Sequence, residues 1–175
     1  MQDEQSFPKF TPLINRSFIS GDGSVTKIVC TQPRRICAIS VAERVASERG
    51  ETFPSNSGNK SFTDGSVGFQ NRVASVIPRP AGSILYCTTA VVLRWLESDP
   101  LLLSVSHLVL DEVQERDLQT DFLIICIKEL MQKRKDLKLI IMSATLDAEL
   151  FSRWDDRFIS GLLVPGYVFS VYCCR

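Results

Sequence analysis

Short apolar runs, each ending in a cluster of polar residues, recur along the chain. Lys27-Ile28-Val29-Cys30 ends in Thr31-Gln32-Pro33-Arg34-Arg35, and Ser83–Cys87 ends in Thr88-Thr89. His107–Leu110 ends in Asp111-Glu112, and Leu139–Met142 ends in Ser143-Ala144-Thr145. Such runs are too short for helices and fit strands buried on both faces. Ser66–Arg72 predicts one more strand. Between the runs the spacing changes. Ala38, Val41, Ala42 and Val45 recur at i, i+3, i+4 and i+7, which predicts a helix reaching about Gly50. Val92, Leu93 and Leu96 predict a second helix, capped by Thr89. Leu123, Ile127 and Leu130 mark a third over Asp121–Lys133, and Asp147–Trp154 closes the series. Residues 51–66, rich in Ser, Asn and Gly, predict a flexible loop, and Arg79–Gly82 predicts a turn.

Strands alternating with helices imply βαβ units and a parallel sheet. Parallel strands end on one edge, so the four polar clusters are expected together where open α/β sheets bind ligands. The chain is thus organised around Asp111 and Glu112.

Composition narrows this picture only a little. The chain has 175 residues, the size of one ordinary domain, and its 45% hydrophobic content argues against wholesale disorder. Twenty basic residues balance twenty acidic ones, so any basic surface must be local. Six cysteines show no CxxC pair and there is a single histidine, so no zinc spacing exists. Most of the cysteines sit in apolar runs and read as buried free thiols. His107 reads as a core histidine, and Trp95 and Trp154 as packing. The N-terminal stretch is acidic and polar, unlike a signal peptide, and no apolar run is long enough to span a membrane.

At the common edge, adjacent carboxylates at a strand end suit one acid for a metal and one for a water. Alone, Asp-Glu after a strand reads as an acidic loop; three other polar clusters on the same edge favour the chemical reading. Arg34 and Arg35 precede a helix N-terminus, which suits a phosphate; taken alone they read as two solvated arginines at a helix entrance. Thr88 and Thr89 combine hydroxyls with another helix N-terminus, and read equally well as a plain cap. Ser143 and Thr145 are placed to link the acids to a neighbouring domain.

In order, TQPRR, ILYCTTAVVLRWL, VSHLVLDEVQER and LIIMSATLDAELF resemble motifs Ia, Ib, II and III of superfamily 2 RNA helicases of the DEAH/RHA group. SVGFQNR resembles the segment between Ia and Ib. The resemblance covers about residues 21–155. GSILYCTT and the segments that follow it are most similar to the G-quadruplex-resolving DEAH-box members. This resemblance implies an α/β fold, a RecA-like parallel sheet flanked by helices. It implies ATP and Mg²⁺ as cofactors, RNA as partner with G-quadruplex RNA or DNA as a further substrate, and a cytoplasmic or nuclear location. Asp111 would hold Mg²⁺ through water, and Glu112 would be the base for the hydrolytic water. Thr31, Arg34, Arg35, Thr88 and Thr89 would contact the nucleic-acid backbone. Ser143, Ala144 and Thr145 would couple hydrolysis to strand separation.

Three departures stand out. Motif II reads DEVQ, with Gln114 where the group has His; Gln keeps hydrogen bonding but carries no charge. Ala90 replaces a usual Gly. The pattern GxxxxGK[ST] occurs nowhere, and Gly58-Asn59-Lys60-Ser61 is only a near match in a polar loop. FPKF, at Phe7–Phe10, resembles the segment after motif I, and VPGYVFSVY resembles the linker into a second motor domain. The expected organisation is therefore a remnant of the helix after the phosphate cradle over 1–20, a partial RecA-like domain over 21–157, and a linker into a truncated second domain over 158–175. The fold is expected to be incomplete, a fragment, isoform or mis-predicted gene model without the P-loop strand and the second motor domain. Open sheet edges would flank the missing strand. ATP hydrolysis by this chain alone is not expected. The competing class is a non-catalytic nucleic-acid- or partner-binding module, and a small metal-dependent hydrolase is a distant third.

Overall fold

A computed structural model describes residues 26–54 and 60–143, together with the backbone of the strand segments 158–159 and 172–174. Its strands are β1 (Lys27–Gln32), β2 (Lys60–Phe62), β3 (Val67–Gln70), β4 (Ser75–Ile77), β5 (Ser83–Thr88), β6 (His107–Leu110), β7 (Lys138–Ile141), β8 (Phe158–Ile159) and β9 (Tyr172–Cys174). The helices are α1 (Arg35–Glu48), α2 (Thr89–Ser98) and α3 (Leu118–Lys133).

One sheet runs in the order β2-β4-β3-β5-β1-β6-β7-β9-β8. Its centre is parallel: β3 with β5, β5 with β1, β1 with β6, and β6 with β7. Antiparallel pairs occur toward the two sides, β3 with β4, β7 with β9 and β8 with β9. Each central strand alternates between two cores. Ile28, Cys30, Ile84, Tyr86, Val109 and Ile140 face the side covered by α1, whose Ala38, Val41, Ala42 and Val45 are buried there. Val29, Cys87, Leu108, Leu110, Leu139 and Ile141 face the side covered by α2 and α3. Apolar groups on both faces explain why these strands read as continuous apolar runs.

Several expectations need correction. The stretch predicted as a loop over 51–66 contains β2, and the near-match Lys60-Ser61 opens that strand. Strand β4 was not predicted. It packs across β3 at Gly68, where an added Cβ would lie 2.3 Å from the Val76 carbonyl oxygen. Helix α1 ends by a left-handed glycine, Gly50 at φ +68°, and the Glu51 N–H closes on the Ala46 carbonyl at 2.9 Å. Helix α3 starts at Leu118, three residues before the predicted Asp121, because the Asp117 carboxylate accepts from the N–H groups of Gln119 and Thr120. Open edges beside a missing central strand are not seen among the described strands, since β1, β6 and β7 each have a neighbour on both sides. The predicted helix Asp147–Trp154 lies outside the described residues.

Buried Cys30 and Cys87 are free thiols, as expected, while Cys37 and Cys126 are half-buried. Burial pushes both buried thiols up, and nearby Asp111 adds to the effect at Cys30. His107 is half-buried rather than a core residue; its Nδ1 lies 2.9 Å from the Ser106 hydroxyl. Trp95 packs on the core under α2 and α3.

Candidate functional site

The parallel register brings the strand ends to one edge, as the sequence predicts. Gln32 is level with Thr88 across β1 and β5, and Thr31 is level with Leu110 across β1 and β6. Asp111 is therefore beside Gln32, one step beyond the last β1–β6 pair. It is 4% exposed, and its Oδ2 accepts the Gln32 amide Nε2 at 2.7 Å. Gln32 is itself 1% exposed and was not foreseen as a site residue. The signal was present: two polar residues capping adjacent parallel strands must meet, and a buried carboxylate needs a donor.

Asp111 and Glu112 differ in burial because the chain turns directly after β6. Strand β6 stops at Leu110, and Glu112 takes a left-handed conformation at φ 55°. The Asp111 Oδ1 accepts the Glu112 N–H at 2.9 Å, and Val113 donates its N–H to the Met142 carbonyl at 3.2 Å. A single 3₁₀ turn, Val113–Glu115, follows and ends at another left-handed residue, Arg116 at φ 50°. Positive φ at non-glycine residues costs about 1 kcal/mol or more each, and such strain gathers at functional sites. The result leaves Asp111 inside and Glu112 half-buried at the surface. The Gln114 amide, in place of the family histidine, donates to the Glu112 Oε2.

The expected nucleic-acid contacts divide. Arg34 and Arg35 are exposed, and Thr88, though buried, borders an open groove of about 470 Å³. Pro33, Arg35, Arg72, Val73, Ala90 and Gln119 complete that groove, so it gathers the ends of β1, β3 and β5 and the start of α3. Arg72 and Gln119 were not singled out: SVGFQNR, which ends in Arg72, was read as a strand and a family-like segment, and Gln119 was given no role. Thr31 and Thr89 turn inward instead. Thr31 belongs to β1, which runs two residues longer than predicted, and donates its hydroxyl to the Val109 carbonyl at 3.4 Å. Thr89 is the first residue of α2, not its cap; its hydroxyl lies 3.3 Å from that of Thr120. Thr88 holds the cap position without a side-chain cap bond. Ser143 is 1% exposed at the end of β7, while Ala144 and Thr145 lie outside the described residues.

Among the described residues no group of three or more His, Cys, Asp or Glu side chains is arranged to hold a metal ion. Asp111, with one oxygen on Gln32 and one on a backbone N–H, fits an ion held through water better than one bound by a protein cage. No described helix is long and apolar enough to cross a membrane.

A mostly parallel sheet flanked by helices, with an acid pair and a groove holding two arginines on its carboxyl edge, is consistent with a partial RecA-like α/β domain. No protein-family model matches the chain. Its similarity to ATP-dependent DNA/RNA helicase DHX36 of Homo sapiens is 55% identity over 151 residues, 86% of this chain and 14% of that protein. It is 46% identical over 149 residues to DExH-box ATP-dependent RNA helicase DExH3 of Arabidopsis thaliana, covering 85% of this chain and 11% of that protein. With ATP-dependent RNA helicase DHX30 of Rattus norvegicus it shares 42% over 162 residues, 91% of this chain and 12% of that protein. The chain belongs to the DEAH/DExH helicases, and it spans about one-seventh of the length of these relatives or less.

Proposed function

We propose that this chain supplies the nucleic-acid groove and the acidic turn of an ATP-dependent helicase motor. One observation carries the reading: a groove with two arginines and a threonine opens on the same sheet edge as Asp111 and Glu112. Arg35 and Arg72 suit two phosphates of an RNA backbone, and Thr88 suits a third polar contact. Asp111 would hold a Mg²⁺ through water, where the ion would neutralise phosphate charge. Glu112 would take a proton from the attacking water, with Gln114 fixing its carboxylate. Ser143, Ala144 and Thr145 would tie that turn to nucleic-acid strain. The relatives' names support ATP dependence and nucleic acid. Mg²⁺ and a G-quadruplex substrate are the finer parts of this proposal.

A second reading is nucleic-acid binding without turnover, which the arginine-lined groove supports without any nucleotide. The experiment compares RNA binding by the chain across a salt series, using an unstructured oligouridine and a G-quadruplex-forming RNA. Calorimetry with Mg²⁺-ATP runs beside it. Arg35→Ala with Arg72→Ala should weaken binding and flatten the log K against log salt slope by about 1–2. An unaltered slope would place the contacts elsewhere. ATP binding in an RNA-competent sample supports the motor reading, and its absence supports binding alone. Tighter binding of the quadruplex RNA would support that substrate.

A further inference from the structure

We propose that Glu115 is an internal competitor for nucleic acid: it occupies Arg34 as a stand-in for a phosphate and yields it when a phosphate backbone enters the groove. The inference rests on the nucleic-acid reading of that groove.

Three arginines stand at the carboxyl edge near the groove. Among the described residues, Arg35 and Arg72 have no ion-pair partner. Arg34 differs. Its Nη2 lies 3.1 Å from the Glu115 Oε1. Arg34 sits between Pro33 and Arg35, which both line the groove, and holds the cap position of α1 without a side-chain cap bond. All three arginines are exposed, and Arg34 is the one of them that is already neutralised. Its side chain is 71% exposed and that of Glu115 33%.

That exposure decides the energetics. An ion pair in high-dielectric surroundings contributes little, because water and salt compete with it. A guanidinium binds carboxylate and phosphate with the same fork of donors, so exchanging one for the other keeps the geometry. The phosphate has the further advantage that a polyanion releases condensed counterions when neutralised. A lone anion lacks that advantage. Glu115 thus raises the threshold for weak or isolated anions while an extended backbone can still displace it. Glu115 also ends the 3₁₀ turn that carries Gln114, whose amide holds Glu112, so the exchange takes place at the acidic turn itself.

The test is a double-mutant cycle on the full chain, read as oligouridine RNA affinity across a salt series. The proteins are the parent, Glu115→Gln, Arg34→Ala and the double variant. Glu129→Gln, an exposed position on α3, controls for charge alone. Glu115→Gln should tighten binding roughly two- to five-fold and steepen the salt slope. In the Arg34→Ala background the same change should do no more than Glu129→Gln does. Equal tightening in both backgrounds would mean long-range charge, and no tightening would mean no competition; either overturns the proposal. RNA binding that is lost in Arg35→Ala/Arg72→Ala yet indifferent to Glu115→Gln would overturn this inference alone. No RNA binding by the parent chain would overturn the groove reading and this inference with it.

Discussion

At the scale of single residues, the hydrogen bond between Gln32 and Asp111 matters most. A carboxylate 4% exposed needs donors, and Gln32 supplies one from the neighbouring strand. Gln32→Leu keeps the bulk and removes that donor. It should cost about 1–3 kcal/mol of stability, measured by chemical denaturation, because Asp111 stays buried. A change below about 0.5 kcal/mol would mean that other donors carry the carboxylate. The same pair marks what the sequence allowed. The acid pair, the two exposed arginines and the common edge were all legible, since short runs ending in polar clusters can hardly form anything else. The direction of each polar side chain was not. Hydropathy treats Thr31, Gln32 and Thr89 as surface residues, yet each is buried through a partner on another element. Partners distant in sequence leave no local pattern to read.

At the scale of elements, α3 carries a clear test. Leu118 is 85% exposed, so the first turn shows no apolar stripe and periodicity places the start too late. The Asp117 carboxylate sets the start by accepting two backbone N–H groups at 2.9 and 3.1 Å. Asp117→Ala should destabilise the chain by about 0.5–2 kcal/mol, with fraying of the first turn visible in amide exchange at Gln119 and Thr120. Asp117→Asn should recover most of the loss, which distinguishes capping from simple charge removal. The stretch after α1 shows the opposite error. It is polar, and polar composition predicts a loop. Nonetheless Glu51 accepts the Ser66 N–H at 2.7 Å and Arg49 Nε at 3.1 Å, tying the end of α1 to the start of β3. Burial raises the Glu51 carboxyl, but the hydrogen bond from the Ser66 hydroxyl, joined by those from Arg49 and the Ser66 N–H, outweighs it and holds the group below the usual range. Strand β4 was missed because its three residues are shorter than any periodic signal; it exists through pairing with β2 and β3.

At the scale of the whole molecule, a single histidine gives the acid response one component that a single substitution can isolate. His107 is the one side chain whose ordinary titration falls between pH 5 and 8 without a large shift. Desolvation, with Lys138 nearby, lowers its pKa to about 4. The unfolded chain therefore binds a proton near pH 6.5 that the folded chain refuses. The stabilising contribution is complete above pH 6.5 and is lost as pH falls toward 4. A full shift of this size would be larger, but the ring is half open to water, so about 1–2 kcal/mol is the expected loss. His107→Gln should remove it, and denaturation at pH 7.5 and pH 4.5 would show a smaller difference in the variant than in the parent. Equal differences would assign the acid sensitivity to carboxylates. His107 opens β6, whereas Asp111 lies just past the strand's other end. The substitution should therefore leave RNA affinity at neutral pH unchanged, which separates the acid response of the fold from the chemistry of its carboxyl edge.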